Sequence, residues 1–191
     1  MKDNKDKKAL LIIDMQKDFV LPGSPMCIAG ALKTIPNIFA LLTHFRKNNL
    51  PVFYIIRSHR KDGSDVEAIR LESFLKKNFA VPGTKGYEIV DELKPQKDEY
   101  IILKKRFSGF MNTELSLILK RLDINSLVVS GTQYPTCVRA TIFDAISLNY
   151  HVTLITDAAS AQTKEIAEAN IVDIANLGVN CLTIKEFLDK K

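Results

Sequence analysis

Cys137 ends the stretch "GTQYPTC", and a cysteine there is either a small core residue or a nucleophile. Its position decides which. The apolar run "SLVVS" at 126–130 stops just before Gly131, and helical apolar spacing begins at Val138 and continues through Ile142, Ala145 and Ile146. Cys137 therefore falls in or just before a first helical turn, where unpaired N–H groups and the positive end of the helix dipole favour a thiolate. A thiol with an ordinary pKa of about 8.5 still needs a base or a positive charge to act near neutrality. Asp14, Arg57, Lys104 and Asp157 each follow an apolar run, as Gly131 does. Ligands of open parallel sheets bind outside the carboxyl ends of the strands, so these positions form a polar rim around a crevice. Among the histidines only His59 is placed to serve as a base, because His44 falls on a helix and His151 at a strand start. Cys181 reads as a structural residue in mid-strand, and Cys27 has no assigned role.

The elements that must position these groups show in the hydrophobic pattern. Six short runs rich in β-branched residues, at 9–13, 51–56, 99–103, 126–130, 151–156 and 180–184, read as strands. Their continuous apolarity fits a parallel sheet covered on both faces. Between them lie helical patterns: Ile35, Ile38, Phe39, Leu42 and Phe45; Leu115, Ile118, Leu119 and Leu122; the pattern from Val138; and Ile166, Asn170, Ile174 and Leu177. Alternating strand and helix predicts a three-layer α/β/α domain with right-handed crossovers. Residues 57–98 mix Gly, Pro and charge without a sustained period and read as a long excursion with one short helix.

Composition bounds the class. With 191 residues, 46% hydrophobic and 26% charged, the chain can bury the core of one domain, read here as 9–188 behind a charged, flexible tail at 1–8. Residues 1–8 carry four Lys against two Asp, and 189–191 two Lys against one Asp, which leaves the body near +2 of the formal +5. With no Trp and no basic stripe, this argues against a nucleic-acid partner. Three cysteines without a CxxC pair argue against a disulfide framework and a cysteine-rich zinc site. The apolar run at 9–13 is too short for a signal peptide or membrane span, so a cytoplasmic protein without a membrane partner is expected.

Three blocks, "LLIIDMQKDF" at 10–19, "LKKRFSGF" at 103–110 and "VVSGTQYPTCVRATIFDA" at 128–145, resemble the signature blocks of the isochorismatase-like cysteine hydrolases. That superfamily includes nicotinamidases, carbamoylsarcosine amidohydrolase and ureidoacrylate amidohydrolase. The resemblance runs in order over roughly residues 9–180. It implies a six-stranded parallel sheet of order 3-2-1-4-5-6 and a homo-oligomer, dimeric or tetrameric. It also implies a catalytic set of Asp14 as base, Lys104 as its partner and Cys137 as nucleophile. Lys104 is preferred to Lys105 on its spacing from the Ser of "FSGF". The implied oxyanion site is the backbone N–H groups of Gln133 and Cys137, with a cis bond between Thr132 and Gln133. Strand order raises a question of reach, because Lys104 must pass strand two, about 10 Å at the usual spacing, to meet Asp14.

The implied reaction is hydrolysis of a small-molecule amide, ureido or carbamoyl C–N bond through a thioester, with no cofactor. Nicotinamidases carry an Asp-x-His pair after strand two and a further His for a metal. Here the stretch is "RSH", and Arg57 cannot ligate a metal, so none is expected. Isochorismatases proper lack the nucleophilic Cys, and Cys137 therefore favours amide over vinyl-ether hydrolysis. The vinyl-ether hydrolase and a non-catalytic ligand-binding or scaffold protein stand as alternatives. Phe19, Arg57, His59, Arg106 and Tyr134 are the expected substrate contacts. Arg57, Arg60, Arg70 and Arg106 lie on or near segments over the crevice and suit an anionic substrate.

Overall fold

Successive residues of a strand face opposite sides of a sheet, and along the middle strands of this sheet both faces are buried, while at one edge Ile101 and Leu103 stand about half exposed. A computed structural model describes residues 7–189. Its six parallel strands are β1 Lys8–Ile13, β2 Val52–Arg57, β3 Tyr100–Lys104, β4 Ser126–Thr132, β5 His151–Ser160 and β6 Asn180–Leu182, in the expected order 3-2-1-4-5-6. The helices are α1 Lys17–Val20, α2 Ala31–Lys47, α3 Leu71–Lys77, α4 Leu115–Arg121, α5 Arg139–Ser147, α6 Lys164–Ala175 and α7 Ile184–Asp189. Leu10, Ile12, Tyr54, Ile56 and Val128 pack with Ile35, Ile38, Leu42 and Phe45 of α2. Leu11, Ile13, Phe53, Ile55 and Val129 pack with Leu115 and Leu119 of α4, Ile142 and Ala145 of α5, and Ile174 of α6. That double burial explains the continuous apolar runs of β1, β2 and β4, since each fully buried Leu or Ile contributes about 1.5–3 kcal/mol whichever face it takes; the run in β3 is apolar without it.

Several elements differ from the sequence pattern. β1 begins at Lys8, inside the expected tail, whose residues 1–6 lie outside the described residues. β5 runs four residues past 156, with a register shift against β4 between Val129 and Gly131. Asp157 is therefore within a strand and not on the rim, and its Oδ1 accepts the Ile184 N–H at 2.8 Å, at the start of α7. That helix was missed because six residues, "IKEFLD", are too few to show a period. Phe39 is half exposed, with Leu41 packed in the core instead. Leu177 lies beyond α6 and is also half exposed.

The excursion between β2 and β3 contains the one α-helix expected, α3, and three 3-10 turns at Ala68–Arg70, Lys85–Tyr87 and Asp91–Leu93. It has a small core of its own in which Phe74, Phe79 and Ala80 meet Phe19, Val66 and Val81. Side chains from the segment after β1 tie it down. Gln16 Nε2 donates to the Arg57 and Tyr87 carbonyls, both at 3.0 Å, and Asp18 Oδ2 accepts the Ala80 N–H at 2.7 Å. Among the described residues, no helix is long and apolar enough to cross a membrane.

The tips of β1 and β4 touch through Gly131, whose φ is +110°. A Cβ there would stand 2.2 Å from the Ile13 carbonyl oxygen and 2.5 Å from the Ile13 nitrogen, so only glycine allows the approach. Gly131→Ala is expected to lose at least about 2 kcal/mol in urea unfolding, through combined backbone strain and clash. A change within about 0.5 kcal/mol, the usual effect of an innocuous surface substitution, would show that the contact is not required.

Candidate active site

Pro135 has no N–H to donate, so helical bonding cannot start before Thr136. The Thr136 and Val138 N–H groups both reach the Gln133 carbonyl, at 3.3 and 3.2 Å, and Tyr134–Val138 form a wide π turn ahead of α5. Cys137 sits in that turn, 6% exposed. Its carbonyl accepts from the Thr141 hydroxyl at 2.7 Å, and the same hydroxyl accepts the Gly109 N–H at 2.9 Å. The second and third blocks of the sequence are thereby joined behind the thiol.

Asp14 follows β1 in a left-handed conformation, φ +48°, and is 3% exposed. Lys104, the last residue of β3, is fully buried; its Nζ donates to Asp14 Oδ2 at 2.7 Å and lies 3.4 Å from Cys137 Sγ. The question of reach is answered by that side chain, extended across β2. Lys105 instead turns to the Ser58 carbonyl and lies 3.1 Å from Asp65. Asp14 Oδ1 is buried and has no hydrogen-bond partner among the described residues. One oxygen is thus held by the lysine, and the other is free to take a proton.

Arg57 is 1% exposed, and its Nη2 lies 3.6 Å from Cys137 Sγ. Its Nη1 donates to Glu67 Oε1 at 2.9 Å, to His59 Nε2 at 3.3 Å and to the Lys105 carbonyl at 3.4 Å. Burial opposes its charge more than any other single influence, yet the charges of Cys137, Asp14 and Glu67 together raise its pKa. Burial likewise works against the Glu67 carboxylate, but the Arg57 charge and hydrogen bond hold its pKa below the ordinary value. The sulfur therefore has a cation on each of two sides, Lys104 and Arg57. The sequence placed Arg57 as a substrate contact and missed its place beside the sulfur, while Glu67, one of three loop acids open to pairing with these arginines, sits among unpatterned charges that do not single it out.

A cavity of about 220 Å³ opens over these groups, lined by Asp14, Arg57 and Cys137 with apolar walls from Phe19, Met26, Ile28 and Phe107. Thr132, Gln133, Thr136 and Arg70 complete it. The Thr132–Gln133 bond is cis, and the Gln133 N–H meets no acceptor among the described residues. Three of the expected substrate contacts are corrected by their positions. Tyr134 is wholly buried, with its hydroxyl on the Thr156 carbonyl at 2.9 Å. Arg106 Nη1 is turned to the Asp65 and Lys105 carbonyls, at 2.7 and 3.1 Å.

His59 is wholly buried, edge-on to Phe74 and Phe79, and lines a different cavity with Ser58, Arg60 and Lys105. A guanidinium only donates, so His59 Nε2 must accept, and the Nδ1 proton is left to Asp65 Oδ1 at 3.3 Å. With both nitrogens occupied and no place in the cavity, His59 is not a base for Cys137. Nor does this corner suit a metal, since a guanidinium occupies the His59 lone pair. Among the described residues, no three His, Cys, Asp or Glu side chains are grouped to hold one.

Comparison with known proteins agrees with the architecture. The isochorismatase domain family matches residues 8–186. A crystal structure of an isochorismatase family protein from Desulfovibrio vulgaris is 46% identical, with a TM-score of 0.94 over 97% of this chain and 98% of that one. A protein of Arabidopsis thaliana described as a probable inactive nicotinamidase is 39% identical over 95% of both chains. A ureidoacrylate amidohydrolase of Rhizobium rhizogenes is 30% identical over 78% of this chain and 69% of its own length.

Burial, and then the charge of Arg57, lower the His59 pKa to about 4. The unfolded chain therefore binds a proton near pH 6.5 that the folded chain accepts only near 4. This contribution to stability is complete above pH 6.5 and is lost as pH falls toward 4, on the order of 3 kcal/mol at most. Urea unfolding at a series of pH values should show that loss in the wild type and a flatter curve over the same window in His59→Gln. Equal slopes would place the proton uptake elsewhere.

Proposed function

The chain belongs to the isochorismatase-like hydrolase superfamily, and from that premise we propose that it is a cysteine hydrolase of a small-molecule amide, ureido or carbamoyl C–N bond, working without a metal. The observation that carries the reading is Lys104 Nζ bridging Asp14 Oδ2 and Cys137 Sγ, with Asp14 Oδ1 left without a partner beside the cavity.

In this mechanism Asp14 Oδ1 takes the Cys137 proton and the sulfur attacks the carbonyl carbon. The oxyanion is held by the backbone N–H groups of Gln133 and Cys137. Preorganised donors of this kind lower such a barrier by about 3–4 kcal/mol each. The C–N bond breaks as Asp14 returns the proton to the nitrogen, and ammonia or an amine leaves a Cys137 thioester. Water then attacks that carbonyl while Asp14 takes its proton. The C–S bond breaks, Asp14 returns its proton to sulfur, and the product departs as a carboxylic acid that gives its remaining proton to solvent. Lys104 orients Asp14 through its hydrogen bond to Oδ2, and Arg57 adds a second positive charge beside the developing thiolate.

The Arabidopsis relative described as probable inactive favours a second reading, a binding protein that keeps the fold without turnover. An ammonia-release screen over small amides, ureides and carbamoyl compounds separates the two. With a turned-over substrate, Cys137→Ala and Cys137→Ser should abolish hydrolysis and keep the wild-type unfolding midpoint. Asp14→Asn should cost about 10²–10⁴-fold in kcat. Near wild-type turnover by Cys137→Ala would remove the thioester step and overturn the assignment of Cys137 as nucleophile. Chelator treatment should leave the rate unchanged, and activity lost to a chelator and restored by zinc, iron or manganese would contradict the metal-free assignment.

A further inference from the structure

Four arginines compete for an anionic substrate, and their surroundings separate them. Arg57 is committed to Cys137, His59, Glu67 and the Lys105 carbonyl. Arg60 is exposed beside Asp62 and lines the other cavity, and Arg106 is bonded to two carbonyls. Arg70 is different. It lines the cavity above Cys137, is only 21% exposed at its side chain, and has no hydrogen-bond acceptor among the described residues. Its guanidinium rests against the Phe79 and Phe107 rings, 5.1 and 5.5 Å from their centroids, which fixes the fork without using its N–H groups. Its ion pair, to Glu67 Oε2, spans 3.9 Å, too long for a hydrogen bond, and that oxygen is itself without a hydrogen-bond partner.

We propose that Arg70 is the carboxylate anchor of this cavity, and that the substrate is a short amide, ureide or carbamoyl compound bearing a carboxylate; the substrate class rests on the hydrolase reading above. Charge supports it. Arg57, Arg70 and Lys104 face the carboxylates of Asp14 and Glu67, three cations to two carboxylates, and a substrate carboxylate would supply the third. Burial, and then the like charge of Arg57, lower the Arg70 pKa, a pressure that a bound anion relieves. Glu67 cannot relieve it alone, because its other oxygen is held by Arg57. Planar, bidentate binding of a carboxylate is what a free guanidinium fork offers. Size narrows the class further. The cavity, about 220 Å³, is smaller than the roughly 300–1,000 Å³ of drug-sized sites, and its walls of Phe19, Met26, Ile28 and Phe107 suit a short hydrocarbon link between amide and carboxylate.

The test pairs malonamate, succinamate and glutaramate with propionamide, butyramide and pentanamide, in which a methyl replaces the carboxylate. The wild type should prefer the carboxylated member of the best pair by about 10- to 100-fold in kcat/KM. Arg70→Gln should erase that preference, with the loss falling on KM for the carboxylated amides, and Arg70→Lys should retain part of it. Calorimetry with malonate, succinate and glutarate reads the anchor without turnover, and binding should be present in the wild type and absent in Arg70→Gln. If no amide is hydrolysed but dicarboxylate binding still depends on Arg70, the hydrolase reading fails and the anchor stands. A preference for the neutral amides, a carboxylate preference that survives Arg70→Gln, or dicarboxylate binding that is absent or indifferent to Arg70 would each overturn the anchor.

Discussion

The Lys104–Asp14 pair, 2.7 Å apart with both groups almost wholly removed from water, is the constraint on which the site depends. Each ion alone would cost several kcal/mol to bury, and together they are tolerable only if their geometry is held and their remaining valences are used. The fold holds that geometry through strand ends. Asp14 turns off β1 in a left-handed conformation that an aspartate accepts more readily than most side chains, and Lys104 spans the width of β2 to reach it. Gly131 lets β4 close against Ile13, which fixes the turn that carries Cys137 relative to Asp14. Three strands and one glycine thus convert a buried ion pair into a pair aimed at a thiol.

A second ring of charge encloses the first. Arg57 pairs in register with Lys104 across β2 and β3, so both cations come to the same edge of the sheet, and Gln16 continues the pairing beyond β1. Its side-chain oxygen takes the Arg57 N–H at 2.8 Å while its amide donates to the Arg57 carbonyl. A side chain thereby does the work of a strand where the strand has ended. Glu67 and Asp65, both from the excursion, meet Arg57 and His59 from above. The apolar cluster of Phe74 and Phe79 keeps water from this layer, and in that surrounding His59 remains neutral down to about pH 4. Fixing the excursion through Gln16, Asp18 and the Arg57–Glu67 pair makes the roof of the cavity part of the folded structure.

Most of the architecture was legible because a doubly covered parallel sheet announces itself in continuous apolar runs. Strand order and the cis bond came from resemblance in the three blocks. Strand ends were less legible, since β5 continues through "DAAS" by pairing with β4 beyond a register shift, which no periodicity records. Asp14 and Lys104 were singled out because each follows an apolar run, Cys137 because helical spacing begins just after it, and their grouping as one set came from the resemblance. Glu67 and Arg70 lie in the excursion, where placement depends on which loop charge meets which strand-end charge. The errors over Tyr134, His59 and Arg106 share one cause: nearness to the site in sequence was taken for access to the cavity. Each side chain points away, into the core, the aromatic cluster or a carbonyl pair.

The division of labour between these layers bears on how substrate choice can change without loss of chemistry. Asp14, Lys104 and Cys137 come from the ends of β1 and β3 and the turn after β4, and their mutual geometry is set by sheet register. Arg70 and Glu67 come from the excursion, and Phe19 from α1; none of them is needed to bring base and thiol together. Arg57 alone belongs to both, one guanidinium nitrogen near sulfur and the other on Glu67. A metal at this edge would attract lone pairs, whereas a guanidinium offers only donors, so replacing one by the other changes what the cavity can recognise while leaving Asp14 and Cys137 where the strands put them. On the proposed reading, selectivity follows the charge and donors of the roof, and the capacity for acyl transfer follows the strand ends beneath it.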